Sequence, residues 1–68
     1  MVEMLSVQSS NIQAVGYDCG NLLVDFHNGR RYVYHGVSPE LFHALLNAPS
    51  VGKFLDQYIK QYPCERLD

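Results

Sequence analysis

The dipeptide Asn28-Gly29 is the feature that most restricts the fold, because it lies between two runs that are typical of β-strands. Leu22 to Phe26 precedes it, and Tyr32 to Tyr34 follows it after two arginines. Asn-Gly between such runs is the strongest short hairpin signal, since a type I′ turn needs positive φ at both central residues. The sequence therefore predicts an antiparallel hairpin over this stretch.

The position of the turn predicts which side chains share a face of the sheet. With Asn28-Gly29 at the centre, Asp25 would face Tyr32 and Leu23 would face Tyr34. The aliphatic residues of both strands would then lie on the other face, where helices can pack. We therefore expect the tyrosine pair on the sheet face that the helices leave open.

The remaining chain adds one strand before this hairpin and two helices after it. Ile12 to Tyr17 alternates like a strand, and the four residues before Leu22 include Gly and Asn, which tolerate positive φ. Ser38 and Ser50 are typical helix N-caps, each followed by apolar residues at helical spacing. We predict an α+β fold, in which a three-stranded antiparallel β-meander precedes two α-helices packed on one sheet face. We expect residues 1–68 to form a single domain, with an irregular or short extended lead at Leu5 to Ser9.

Size and charge restrict the function. A chain of 68 residues builds a small core, so we expect a homo-oligomer that buries further surface. The net charge is −2, from five Lys or Arg against seven Asp or Glu. Because long nucleic acids are bound mainly through neutralised phosphates, this count disfavours duplex binding but allows a small anionic ligand.

Several classes of protein have no support in the sequence. No apolar run is long enough to span a bilayer, and the first residues do not resemble a signal peptide, so we expect a cytoplasmic protein without a membrane partner. Cys19 and Cys64 lack metal-ligand spacing, and we expect both to be free thiols. The histidines form no metal pattern, and no nucleophile has a neighbouring base. We therefore expect no enzyme, no metal and no cofactor.

Seven segments of the sequence resemble the KTSC domain, whose hallmark is a central Tyr-x-Tyr, here Tyr32 and Tyr34. The resemblance extends from about Ser6 to Tyr62. The family is named for its place at the C-terminus of some lysyl-tRNA synthetases, and it also occurs as short stand-alone bacterial and phage proteins. The resemblance implies RNA binding, although this chain lacks the synthetase body and ends acidically. In addition to the Tyr-x-Tyr motif, the segments that resemble the family are 9–12, 15–18, 23–26, 28–29, 36–37, 48–54 and 59–60.

Two groups of residues are candidates for ligand binding. Tyr32 and Tyr34 would stack nucleobases, with Arg30 and Arg31 binding phosphate or stacking on a base. The alternative is that the tyrosines pack in a subunit interface and the arginines are solvated. The second candidate, formed by Ser50, Gly52 and Lys53, offers a helix N-terminus, a close backbone approach and a cation for an anion. The alternative for this second group is that Ser50 only caps the helix and that Gly52 lets the helix pack on the sheet.

These observations predict a non-catalytic module that binds, and in a free-standing form sequesters, a nucleotide or a short single-stranded RNA. The low number of cations favours such a ligand over a duplex. The alternative is a protein-interaction module, such as a phage-type inhibitor of a host protein, that uses the same tyrosine face.

Overall fold

A five-stranded antiparallel sheet organises the protein, with the strands in the order in which they occur in the chain. The computed structural model describes residues 2–67. Both helical segments lie between the fourth and fifth strands. The elements are β1 (Met4–Ser6), β2 (Ile12–Asp18), β3 (Asn21–Phe26), β4 (Arg31–His35), α1 (Pro39–Leu46), α2 (Val51–Phe54), which continues into a π-helical segment (Leu55–Ile59), and β5 (Cys64–Arg66).

The α+β class, the antiparallel sheet and the two helices are confirmed, whereas the number of strands is larger than the three predicted. Each additional strand is three residues long, and each pairs at an edge of the predicted meander. Such short segments carry almost no alternating pattern of their own. Their extended conformation follows from the neighbouring strand, which supplies hydrogen-bonding partners that a sequence pattern does not reveal.

The β3–β4 loop differs from the predicted turn and shifts the strand register by one residue. The Gly29 amide donates to the Phe26 carbonyl over 3.0 Å, and the Phe26 amide donates to the Arg30 carbonyl over 2.9 Å. Gly29 has a φ of 89°, but Asn28 is not among the residues with positive φ. The loop therefore contains three residues and ends in a left-handed glycine, which is the next most common hairpin geometry after the two-residue turn.

This register places the tyrosines on the face opposite to the predicted one. Val24 faces Tyr32 and Leu22 faces Tyr34, so each tyrosine shares a sheet face with an aliphatic core residue. The prediction that the tyrosine pair lies away from the helices is wrong, because a one-residue change in register moves every side chain of a strand to the other face.

The core lies between this sheet face and the helical segments. Tyr34 belongs to it, with only 4% of its surface exposed, while Tyr32 packs against its margin. Both helix starts are capped as predicted, since Ser38 Oγ accepts from the Leu41 amide and Ser50 Oγ from the Lys53 amide. The buried cluster consists of Ile12, Val15, Leu22, Val24, Tyr34, Val37, Phe42, Leu45, Val51, Leu55 and Ile59.

The second helical segment widens after its first turn. The Lys60 amide donates to the Leu55 carbonyl over 2.9 Å, five residues earlier, as in a π-helix. Leu55 and Ile59 are both buried, so the wide turn is fixed by the core. Such turns often occur at functional sites. Here the segment places Lys60 beside the end of the β3–β4 hairpin, where it lines a surface depression with Phe26 and Asn28.

The left-handed glycine gives a testable prediction about the register. A Cβ added at Gly29 meets no atom within 4 Å, so Gly29→Ala changes backbone strain and little else. We expect a loss of about 1 kcal/mol in the free energy of unfolding, measured by urea denaturation. Gly29→Asn should lose less, since Asn tolerates this conformation better than Ala. Equal stability of Gly29→Ala and the unmodified protein would contradict the three-residue loop.

Candidate functional site

An open groove follows the tyrosine side of β4. We call it the tyrosine groove, and it encloses about 350 Å³. That volume lies within the range of roughly 300–1,000 Å³ that small-molecule sites occupy. Strands β3, β4 and β5 and the end of the π-helical segment all contribute to it. The groove is lined by Phe26, Asn28, Arg30, Tyr32, Tyr34, Lys60 and Cys64.

The two tyrosines have different roles in this groove. Tyr32 is half-buried, and its ring meets Phe26 edge-on, with 5.6 Å between the ring centroids and an angle of 89° between the planes. Tyr34 is buried in the core, yet it still lines the groove. Tyr32 therefore offers ring surface to a ligand, whereas Tyr34 forms part of the base.

The environment of Tyr34 keeps its hydroxyl protonated. Burial raises the pKa of Tyr34 above its ordinary value, and the negative charges of the ionised Cys64 and Tyr32 and of Asp56 raise it further. A protonated phenol can donate as well as accept a hydrogen bond. The phenol at the base of the groove is therefore neutral.

Two cationic side chains lie in the tyrosine groove. Arg30, just before β4, was a predicted site residue, whereas Lys60 was not. Lys60 Nζ lies 3.0 Å from an Asp56 carboxylate oxygen, one helical turn earlier, and both side chains are more than half exposed. Exposed pairs of this kind contribute little to stability, so Lys60 can turn to an anionic ligand at small cost.

Arg31 lies on the opposite face of the sheet from this groove. It faces Asp25 across the strands, and its guanidinium donates two hydrogen bonds to the carboxylate, of 2.5 and 2.7 Å. Arg31 does not line the tyrosine groove, but it lines a third depression together with Arg30 and Asp25. The predicted arginine pair therefore meets outside the tyrosine groove, and Arg30 is the member of the pair that also lines that groove.

The residues of the second predicted anion site are not brought together with the tyrosines. Ser50 Oγ accepts from the Lys53 amide over 3.3 Å and so acts as the helix cap. A Cβ at Gly52 would lie 3.3 Å from Ser9 Oγ, which shows how closely the helix approaches that loop. Gly52 lines a second depression, while Ser50 and Lys53 line neither it nor the tyrosine groove.

The second depression adjoins the tyrosine groove, and we call it the polar hollow. It encloses about 380 Å³ and shares Phe26, Asn28 and Lys60 with its neighbour. Its own polar side chains come from the β1–β2 loop, the β3–β4 loop and the π-helical segment, and they are Ser10, Asn11, His27 and Asp56. The two depressions therefore form one continuous surface with an aromatic end and a polar end.

Sequence reasoning missed four groove residues, Phe26, Asn28, Lys60 and Cys64. Lys60 follows the π-helical turn, and a turn of that kind has no sequence signal. Cys64 faces Tyr34 because β5 pairs with β4. Phe26 belongs to the predicted hairpin, but the predicted register placed the tyrosines on the face of Leu23 and Asp25 and so away from Phe26.

The predictions about cysteines, metal ligands and membrane-spanning segments concern side chains and helices within residues 2–67 here. Cys19 and Cys64 are both free, as expected, and both are exposed. A hydrogen bond to Asp18 and its negative charge raise the pKa of the Cys19 thiol, so its reactive thiolate is disfavoured. Within this part of the chain, no three His, Cys, Asp or Glu residues are grouped to hold a metal ion. None of its helices is long and apolar enough to cross a membrane.

Comparisons with known proteins agree with the architecture. The family model of the KTSC domain matches residues 8–62. A protein of Tsukamurella paurometabola is 42% identical over 59 residues, which cover 84% of this chain and 88% of the relative. An uncharacterized protein of Stutzerimonas stutzeri is 38% identical over 71 residues, which cover 98% of this chain and 100% of the relative. The crystal structure of a KTSC domain protein from Yersinia pestis superposes with a TM-score of 0.91 at 30% identity, covering 100% of both chains.

The Asp25–Arg31 pair predicts a pH dependence of stability. The hydrogen bonds and charge of Arg31 lower the pKa of Asp25 in the folded state, despite partial burial of the carboxyl. The pair therefore stabilises the protein above the unfolded-state pKa of about 3.9, and this contribution is lost as the pH falls through the lower folded-state value. In urea denaturation, Asp25→Asn should be less stable than the unmodified protein at pH 7, and the difference should shrink as the pH falls through the lowered folded-state pKa.

A double-mutant cycle isolates that pair from general charge effects. Arg31→Gln alone should lose the same pH-dependent part of the stability, and adding it to Asp25→Asn should lose little more. A difference between Asp25→Asn and the unmodified protein that persists unchanged at pH 2 would contradict the ion pair as its source.

Proposed function

The chain belongs to the KTSC domain family, and on that premise we propose that it is a small non-catalytic binding module for a nucleotide or the terminal nucleotide of a short single-stranded RNA. The ligand occupies the tyrosine groove. Its base lies against the accessible part of Tyr32, and its phosphate lies between Arg30 and Lys60. Sequestration of such a ligand is the role that fits a free-standing domain.

One observation carries the proposal: a single groove holds an accessible aromatic ring together with two cations. Aromatic side chains bind bases of any sequence by stacking, which contributes roughly 1–3 kcal/mol per base. Arg30 and Lys60 supply positive charge for a phosphate, and Arg can bind its oxygens bidentately. The aromatic and cationic groups thus match the two parts of a nucleotide.

The geometry also restricts the number of bases and phosphates that the ligand can have. Two successive bases cannot both stack on the pair, because the ring of Tyr34 is buried in the core. The groove therefore suits one base rather than a continuous strand. Two groove cations and a net charge of −2 are likewise better matched to one or two phosphates than to a long backbone.

Protein interaction and self-association, the alternatives to ligand binding, stay predictions. Because Tyr34 is buried, a protein partner that docks on the tyrosine face would contact the accessible part of Tyr32. Leu5, Tyr58 and Leu67 are the large apolar residues within 2–67 that are exposed. They come from β1, the π-helical segment and the end of the chain after β5. Scattered apolar residues of this kind are ordinary on protein surfaces, so we favour the ligand-binding proposal.

Isothermal titration calorimetry with ribonucleoside 5′-monophosphates and with short single-stranded RNAs tests the proposal. Removal of the stacking surface by Tyr32→Leu should weaken binding about tenfold, because one stack is worth roughly 1–3 kcal/mol and Leu retains much of the packing. The matched control is Tyr58→Leu, which removes an exposed ring that lies outside the groove and should leave the affinity within about twofold.

Charge variants locate the phosphate. Arg30→Gln and Lys60→Gln should each weaken binding several-fold, whereas Arg31→Gln, on the opposite sheet face, should have little effect. If Lys53→Gln weakened binding and Lys60→Gln did not, the phosphate would belong at the helix N-terminus instead. The absence of binding by every nucleotide and RNA tested would overturn the proposal itself.

A further inference from the structure

The polar hollow is not used by the base and phosphate contacts proposed above, yet it continues directly from the tyrosine groove. Within residues 2–67, the side chains of Ser10 and Asn11 have no hydrogen-bond partner in the protein, although both line the hollow. Ser9, in contrast, uses its hydroxyl to accept from two backbone amides. The hollow therefore presents a hydroxyl and a carboxamide that are available to a ligand.

Asp56 adds an acceptor to the same hollow. Its carboxylate pairs with Lys60, and the side chains of both residues are 57–58% exposed. Because such a pair contributes little to stability, Lys60 can bind a phosphate while the carboxylate of Asp56 accepts hydrogen bonds from a second group of the ligand. Lys60 lines both depressions and Asp56 lines the hollow, so one bound molecule can contact both side chains.

The hydrogen-bond donors and acceptors of the hollow indicate which kind of chemical group of the ligand binds there. A carboxylate repels another phosphate but accepts from hydroxyl groups, as the acidic residue of dinucleotide-binding sites does with ribose. The Ser10 hydroxyl both donates and accepts, and the Asn11 carboxamide does so with separate atoms. This combination matches neighbouring hydroxyl groups, which each donate and accept. It does not match an apolar ring.

We infer that the polar hollow binds the sugar hydroxyls of the ligand, which makes the ligand class ribonucleotides rather than 2′-deoxyribonucleotides. The inference rests on the proposed function, since it places the base at Tyr32 and the phosphate between Arg30 and Lys60. The ribose joins the base to the phosphate, and its free 2′- and 3′-hydroxyl edge is then directed towards Asp56 in the hollow. The 2′-hydroxyl is the group by which a protein distinguishes RNA from DNA at a given position.

The test compares the four ribonucleoside 5′-monophosphates with their 2′-deoxy counterparts by isothermal titration calorimetry. The deoxy compounds should bind about tenfold more weakly, because a site built to hydrogen-bond a hydroxyl leaves its polar groups unpaired when that hydroxyl is missing. In Asp56→Asn this ratio should fall to within about twofold. The ratio is the measured quantity, since Asp56→Asn also releases Lys60 and so can strengthen the binding of both compounds.

The matched control is Glu40→Gln, which removes the same charge on α1, outside both depressions, and should retain the tenfold ratio. Circular dichroism of each variant shows whether it is folded before it is titrated. Equal binding of the ribo and deoxy compounds by the unmodified protein would overturn this inference and leave the proposed function standing. A tenfold ratio that is unchanged in Asp56→Asn would remove the carboxylate from sugar recognition. If no compound of either series bound, both proposals would fail.

Discussion

The backbone conformation of Gly29 determines which face of the sheet carries the tyrosines, and with them the core and the groove. Its positive φ closes a three-residue loop, and that loop pairs Leu22 with Tyr34 across the hairpin. Because side chains alternate along a strand, this one turn places Tyr34 beneath the helical segments and Tyr32 at their margin. The core and the groove therefore depend on the same few backbone hydrogen bonds.

The groove results from the way that core is closed. The buried Leu55 and Ile59 hold the π-helical segment against the sheet, and Lys60 follows it at the end of the hairpin. Strand β5 then returns beside β4 and places Cys64 next to Tyr34. Core residues beneath the groove hold in place the groove side chains that face the solvent. Such support is what a binding site needs, since rigid elements position side chains more accurately than free loops.

Charge is distributed unevenly between the two faces of the sheet. Arg30 and Arg31 are neighbours in the chain, but Arg31 is held by Asp25, and of the two arginines Arg30 is the one that lines the tyrosine groove. With few cations in the chain, this arrangement limits how many can act on one ligand in that groove. It is one reason for proposing a compact ligand with one base and one phosphate there.

Local signals in the sequence determined the α+β class, the central hairpins, both serine caps and the helical positions. These features depend on residues close together in the chain, whose turn chemistry, capping and periodicity can be read directly. Only the tertiary structure decided the register at Gly29, the strands β1 and β5, and the position of Lys60. The edge strands and Lys60 depend on partners distant in sequence, which are a neighbouring strand for the edges and a packed core for the π-helical turn. The register depends on whether Asn28-Gly29 forms a two-residue or a three-residue loop, and both loops accept a glycine with positive φ. The tyrosine pair was visible in the sequence, but which face it occupies was a property of the fold.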